Sequence, residues 1–149
     1  MLYETISKDM IEAMKSKDKD TLSTLRLLKS AIDLYLVNNK LERNNASDEV
    51  VIDVVSKQVK THKESIEEFR RGNREDLIAN LEREINLLSK YLPEQLSEEE
   101  IMKEIDRVFD EIKPSSKQDM GRVMKELTPI FKGKADMKVV TSIVQNKLN

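Results

Sequence analysis

The chain has 149 residues, 38% hydrophobic and 36% charged, with 3 Gly, 3 Pro, no Trp and no Cys. That length holds one domain or two small helical lobes, and the balance suits helices with one apolar stripe and a charged outer face. The lack of Cys excludes disulfides, thiolate metal sites and a cysteine nucleophile. No apolar run reaches the roughly 18–20 residues that span a bilayer, so no membrane association is expected. The acid-containing N-terminus, MLYETISKDMIEAMKSKD, is unlike a signal peptide, and a cytoplasmic setting is the default expectation.

The net charge of −2 conceals an asymmetry. Residues 113–149 hold eight basic and three acidic groups, a net +5, leaving −7 on the first 112 residues. A basic end on an acidic body points towards an anionic partner.

In chain order, Leu2, Ile6, Met10, Ala13 and Met14 share a helical face, predicting a first helix over Leu2 to Ser16. Lys17 to Asp20 breaks it and offers a cap. The second helix is predicted from about Thr21 to Asn39, with a wide apolar face of Leu22, Leu25, Leu28, Ile32, Tyr35 and Leu36, as for an element buried on more than one side. Asn38 to Ala46 reads as a loop. Ser47 can cap a third helix with the stripe Val55, Val59, His62, Ile66, Phe69; Gly72-Asn73 interrupts, and Ile78, Leu81, Ile85, Leu88, Leu92 follow. Two such stripes joined by a short turn predict an antiparallel hairpin packed on the first two helices.

Pro93 ends that arm. Ser97-Glu98-Glu99-Glu100 is a capping box, with Leu96 and Ile101 placed as a hydrophobic staple. The fifth helix shows Ile101, Ile105, Val108 and Ile112 and stops before Pro114. A sixth opens near Ser116, shows Met120, Val123, Met124 and Leu127, and meets Pro129. The last starts at Asp136 with Val139, Val140, Ile143, Val144 and Leu148. The expectation is an all-α protein of two helical lobes: a four-helix N-terminal lobe with a long hairpin over residues 1–95, and a three-helix lobe over residues 96–149.

Chemistry has few footholds, and no catalytic constellation is visible. His62, the single histidine, falls inside an apolar stripe and reads as a seam histidine with one wet edge rather than a base, which would need a partner within reach. A zinc site would need further His or Cys, and no cofactor is implied. The carboxylates Glu64, Glu67, Glu68 and Glu98 to Glu100 lie on polar faces or in a cap. Ser115-Ser116-Lys117 contains the residue types of a serine–lysine hydrolase, but its place between a proline and a helix favours a turn plus cap. Lys132-Gly133-Lys134-Ala135-Asp136 reads first as a tight turn with Asp136 capping the final helix. Its other reading sets two lysines beside a helix N-terminus, where amides and dipole attract phosphate; Asp136 would compete for the same amides.

Met120-Gly121-Arg122-Val123-Met124-Lys125, followed by Lys132-Gly133-Lys134-Ala135-Asp136 and an aliphatic helix ending at Leu148, resembles the signature of YqeY-like proteins. Those are similar to the C-terminal tail domain of GatB in the bacterial Asp/Glu-tRNA amidotransferase. Lys63-Glu64-Ser65-Ile66, Asn73 to Leu77, Tyr91 to Glu100 and Leu25 to Lys29 resemble the family's other blocks, so the likeness runs along essentially the whole chain. Met137 departs where the family often has Gly, and Lys60-Thr61-His62 where a Lys-Gln-Arg-like run is common. The resemblance implies a helical lobe joined to a small three-helix lobe, and a module that holds tRNA or associates with tRNA-dependent amidation. Amidotransferase subunits or an aminoacyl-tRNA synthetase are the implied protein partners. Carbon–nitrogen ligase activity with glutamine as amide donor belongs to the whole enzyme, whose kinase-like and amidase parts have no counterpart here. The expected contacts are Arg122, Lys125, Lys132, Gly133, Lys134 and Lys138, acting on phosphates. The alternative is a protein–protein adaptor without nucleic-acid binding.

Overall fold

A computed structural model describes residues 1–42 and 46–149. Among them the fold is all-α, with α1 (Leu2–Lys15), α2 (Lys19–Asn38), α3 (Asp48–Arg71), α4 (Glu75–Leu88), α5 (Glu98–Ile112), α6 (Met120–Phe131) and α7 (Met137–Leu148). The chain divides into two compact units, Met1–Leu92 and Pro93–Asn149, each with its own core.

In the first unit, α3 and α4 form the antiparallel hairpin that their stripes predict, and α3 packs on α2 and α1. Ile6, Leu25, Leu28, Ile32, Leu36, Val51, Val55 and Leu88 are essentially inaccessible. Ser47 caps α3 by accepting from Val50 N–H at 3.2 Å, and Asp18 caps α2 from Thr21 N–H at 3.2 Å. The Asp18 carboxyl lies below its ordinary pKa because the Thr21 hydroxyl and amide bond its charged form. Tyr91 is buried with its hydroxyl donating to Asp9 at 2.5 Å; burial first, then that carboxylate, pushes its pKa well above the ordinary value. Part of the expected loop at residues 38–46 lies outside the described residues.

Helix ends in this unit rely on residues other than glycine. Lys17, Lys40 and Asn73 all take positive φ, at 59°, 56° and 57°. Each closes a helix with paired backbone bonds: Leu41 N–H reaches Leu36 C=O at 2.8 Å and Lys40 N–H reaches Val37 C=O at 3.1 Å. At Gly72-Asn73 it is Asn73, not Gly72 (φ −91°), that adopts the left-handed conformation. Asparagine tolerates that region through its short polar side chain.

Four boundaries differ from expectation. α2 opens at Lys19, two residues early, because within the capping stretch Lys17 to Asp20 it is Asp18 that provides the cap. α4 stops at Leu88, and a 3₁₀ turn over Ser89–Tyr91 carries the chain to Pro93. Ser116 caps a 3₁₀ turn, Lys117–Asp119, with α6 proper starting at Met120. Pro129 does not end α6, which continues to Phe131. So near the helix end the proline forfeits one backbone bond, while the Thr128 hydroxyl donates to Met124 C=O at 2.7 Å. α2 packs against both α1 and α3, while Leu27 and Leu34, outside the expected face, remain 65% and 60% exposed.

In the second unit, α5 begins with the complete capping box: Glu100 N–H donates to Ser97 Oγ at 3.2 Å, and Ser97 N–H donates to Glu100 Oε1 at 3.3 Å. Ile105, Val108, Val123, Leu127, Phe131, Val140 and Val144 fill a dry core, and Leu96 packs against it as a staple.

Candidate nucleic-acid interface

The second unit fixes a backbone frame on which cations stand. Arg122 and Lys125 lie three residues apart on the exposed side of α6, neighbours on a helical surface, and Lys132 caps that helix. Gly133 follows with φ 74°, a conformation in which a Cβ would be strained. Lys134 N–H and Ala135 N–H both return to Phe131 C=O, at 2.8 and 3.1 Å, winding residues 132–135 into a tight turn. Asp136 then caps α7, accepting from Lys138 N–H at 2.9 Å.

Two residues outside the basic segment hold this turn. Leu96 N–H donates to Lys134 C=O at 2.9 Å, and Gln95 Nε2 donates to Gly133 C=O at 2.7 Å while also reaching Pro93 C=O at 2.9 Å. The turn carbonyls therefore face inward onto residues 95 and 96. Nothing in the residue types around Gln95 signals a partner 38 positions away; only the fold shows it.

Charges in this unit are segregated. Residues 93–112 carry eight acids and two bases, a net −6, against the net +5 of residues 113–149. The basic end is thus a segment of a nearly neutral unit rather than a basic unit. On the acidic helix three carboxylates are paired: Arg107 bonds Glu104 at 3.0 Å and Glu111 at 2.9 Å, and Lys147 reaches across from α7 to Asp106 at 2.6 Å, its ammonium 5.0 Å from the Phe109 ring centre. Lys147 therefore belongs to the acidic side. Arg122 has one loose contact, with Asp119 at 3.7 Å. That carboxyl is itself held by Ser115, whose amide donates at 2.8 Å and whose hydroxyl donates at 3.2 Å; those bonds keep it below its ordinary pKa. Ser115-Ser116-Lys117 is thus a turn and cap. Lys125, Lys134 and Lys138 are exposed and form no ion pair among the described residues.

The expected contacts are accordingly placed on α6, the turn and the start of α7. The amides at the α7 N-terminus are taken in part by Asp136, which reserves the lysine side chains, rather than those amides, for an anion.

Gly121 carries no charge and so leaves no mark in a pattern of cations. In the first turn of α6 beside Arg122 it is exposed, and a Cβ there would meet nothing within 4 Å. Glycine inside a helix costs about 0.5–1 kcal/mol relative to alanine, and no contact within the chain requires it.

In the first unit, His62 bridges the hairpin seam: its Nε2 lies 2.7 Å from Glu84 Oε2, both side chains about one-fifth exposed. They line a groove of about 410 Å³ with Thr24, Leu27, Lys57, Gln58, Thr61 and Leu88. Among the described residues no cluster of three His, Cys, Asp or Glu side chains is placed to hold a metal ion, and no helix is long and apolar enough to cross a membrane.

Comparison with known proteins gives this geometry its context. The chain is 31% identical over 147 residues to altered inheritance of mitochondria protein 41 of Pyrenophora tritici-repentis, covering 94% of this chain and 77% of that protein. It is 36% identical over 96 residues to an uncharacterized protein of Schizosaccharomyces pombe, covering 64% and 76%. The Saccharomyces cerevisiae protein named altered inheritance of mitochondria protein 41 is 29% identical over 135 residues, and the chain spans 61% of its length. A family model described as Yqey-like protein matches residues 3–148, and the chain belongs to that family.

Proposed function

We propose that the chain is a non-catalytic module that grips the phosphate backbone of tRNA through the face formed by α6, the 132–136 turn and the start of α7. The observation that carries this reading is the contrast in charge: α5 stays net negative even with Arg107 paired to Glu104 and Glu111, whereas Lys125, Lys134 and Lys138 stand exposed without ion pairs among the described residues. Arg122 and Lys132 extend the same surface. Gly121 adds support, since a helix turn without side chains beside Arg122 lets a backbone approach closely. The choice of tRNA among polyanions rests on the likeness to the amidotransferase tail domain. Amidotransferase subunits or an aminoacyl-tRNA synthetase are the proposed protein partners in tRNA-dependent amidation. The module works where tRNA is found, in the cytoplasm or, like relatives named as mitochondrial, in that organelle.

Bulk tRNA in a mobility-shift titration at low salt tests the reading. The intact chain binds, and Lys134→Glu with Lys138→Glu lowers affinity at least tenfold. No binding by the intact chain, or equal binding by the variant, removes the proposal. A protein–protein adaptor is the competing reading; it is favoured if affinity capture after nuclease treatment still recovers a defined protein. Glutamine-dependent amide formation by the pure chain would reinstate ligase chemistry, and none is expected.

A further inference from the structure

α2 presents two apolar faces, and among the described residues only one is buried. Leu25, Leu28, Ile32 and Leu36 are at most 1% exposed, whereas Leu27, Leu34, Val37 and Leu41 are 65%, 60%, 48% and 47% exposed. With the exposed Ser23 and Ser30, these positions run 23, 27, 30, 34, 37, 41, alternating steps of four and three. That is the spacing of a helix–helix seam rather than of scattered surface residues. No charge interrupts the row, although 36% of the chain is charged. Leu41 lies just past the helix, kept beside it by the left-handed Lys40 and the Leu41–Leu36 backbone bond.

We propose that this row is the interface of a homodimer in which two α2 helices pack antiparallel about a twofold axis between Ser30 and Ala31. Leu27 and Leu34 stand equally far from that midpoint, about 10 Å apart along the helix, with Val37 and Leu41 beyond them at one end. A twofold axis therefore sets Leu27 of each copy against Leu34 of the other. The small side chains at the centre allow the close interaxial distance of packed helices. Charge selects the same arrangement. Arg26 and Asp33 flank the row on one edge, seven residues apart, and antiparallel packing brings each near the other on the second copy. Arg26 forms no ion pair among the described residues, and Asp33 uses Oδ1 to accept from the Tyr3 hydroxyl at 3.0 Å, leaving its other oxygen for a bond to the second copy. Isologous pairing of one patch with itself is the commonest assembly of soluble chains. The residues of this interface all lie in the first unit and include none of the cations proposed to meet RNA.

Solution mass measured from low micromolar to high micromolar concentration tests it. The intact chain shifts from monomer to dimer mass, and Leu34→Glu stays monomeric, with helicity and unfolding midpoint matching those of the intact chain at concentrations where that chain is monomeric. Arg26→Glu and Asp33→Lys each weaken self-association, because each sets like charges together. Mixed, the two restore a dimer containing one copy of each, since both crossed contacts then pair opposite charges. A Leu34→Ser variant separates lost pairing from a cost of the introduced charge. An intact chain monomeric throughout, a dimer that survives Leu34→Glu and Leu34→Ser, or charge variants that fail to pair when mixed overturns the proposal.

Discussion

The two sides of the second unit use charge in opposite ways. On α5, Arg107 is shared by Glu104 and Glu111, and Lys147 is drawn onto Asp106, so the cations present are taken up by carboxylates and the side stays net negative. On α6, the turn and the start of α7, Lys125, Lys134 and Lys138 are exposed while the backbone of the turn is tied down by Gln95, Leu96 and Asp136. Counting charges would rank both sides as merely charged. Sign and pairing together distinguish a side that keeps a net negative potential from one whose unpaired lysines leave a positive potential available to a polyanion.

The strongest way to break that contrast is to remove the frame. Phe131 is fully buried directly before the turn, and Phe131→Ala should cost about 3–5 kcal/mol by the loss of transfer energy and the cavity left. Denaturant unfolding followed by helicity measures it; a loss below about 1 kcal/mol would show that the core tolerates the cavity by collapse. Next in size is the charge itself. Reversing Lys125, Lys134 and Lys138 to Glu should abolish tRNA binding at moderate salt, while Lys103→Glu on the acidic side changes it little, because that helix already repels phosphate. Equal losses from both sides would erase the distinction.

A third experiment titrates the carboxylates. Asp18 and Asp119 have folded pKa values below their ordinary ones, so the folded state favours their charged forms. Their contribution is fully present above the ordinary carboxylate pKa and is lost as pH falls through the lowered folded values. Unfolding free energy measured against pH should fall in that acid range, and Asp18→Asn or Asp119→Asn should flatten the fall. Tyr91 acts with the opposite sign. Its raised pKa means stability is complete below the ordinary tyrosine value and declines as pH rises beyond it, a decline that Tyr91→Phe should reduce. The smallest change concerns a helix end: Lys40→Gly removes left-handed strain of about 1–2 kcal/mol but adds unfolded-chain entropy, for a net gain of about 0.5 kcal/mol. A fall in the unfolding midpoint would contradict it.

Much of the helical pattern can be read directly, because it is written in local chemistry. Ser47, Ser97 and Asp136 cap the helices they precede, and the stripe through Val55, Val59 and Ile66 is the buried side of α3. His62 occupies the seam with one wet edge, although its bond to Glu84 depends on the register of α4 against α3, which spacing does not specify. The candidate interface is legible as a set of cations but not as a surface. Whether Lys147 joins the basic side or the acidic one depends on how α7 packs beside α5. The anchoring of Gly133 by Gln95 is a contact between distant positions with no local signature. The outward row on α2 is hidden for a related reason: residue types show that the helix is widely apolar, and only packing shows which side the chain leaves uncovered.

The most direct measurement is the salt dependence of tRNA binding by the intact chain. About four phosphates neutralised by this face give a slope of log K against log salt of about −3 to −4. Reversing Lys125, Lys134 and Lys138 together should bring the slope to about −1 or weaker. A slope near zero for the intact chain, or the same steep slope after the three reversals, would contradict the account.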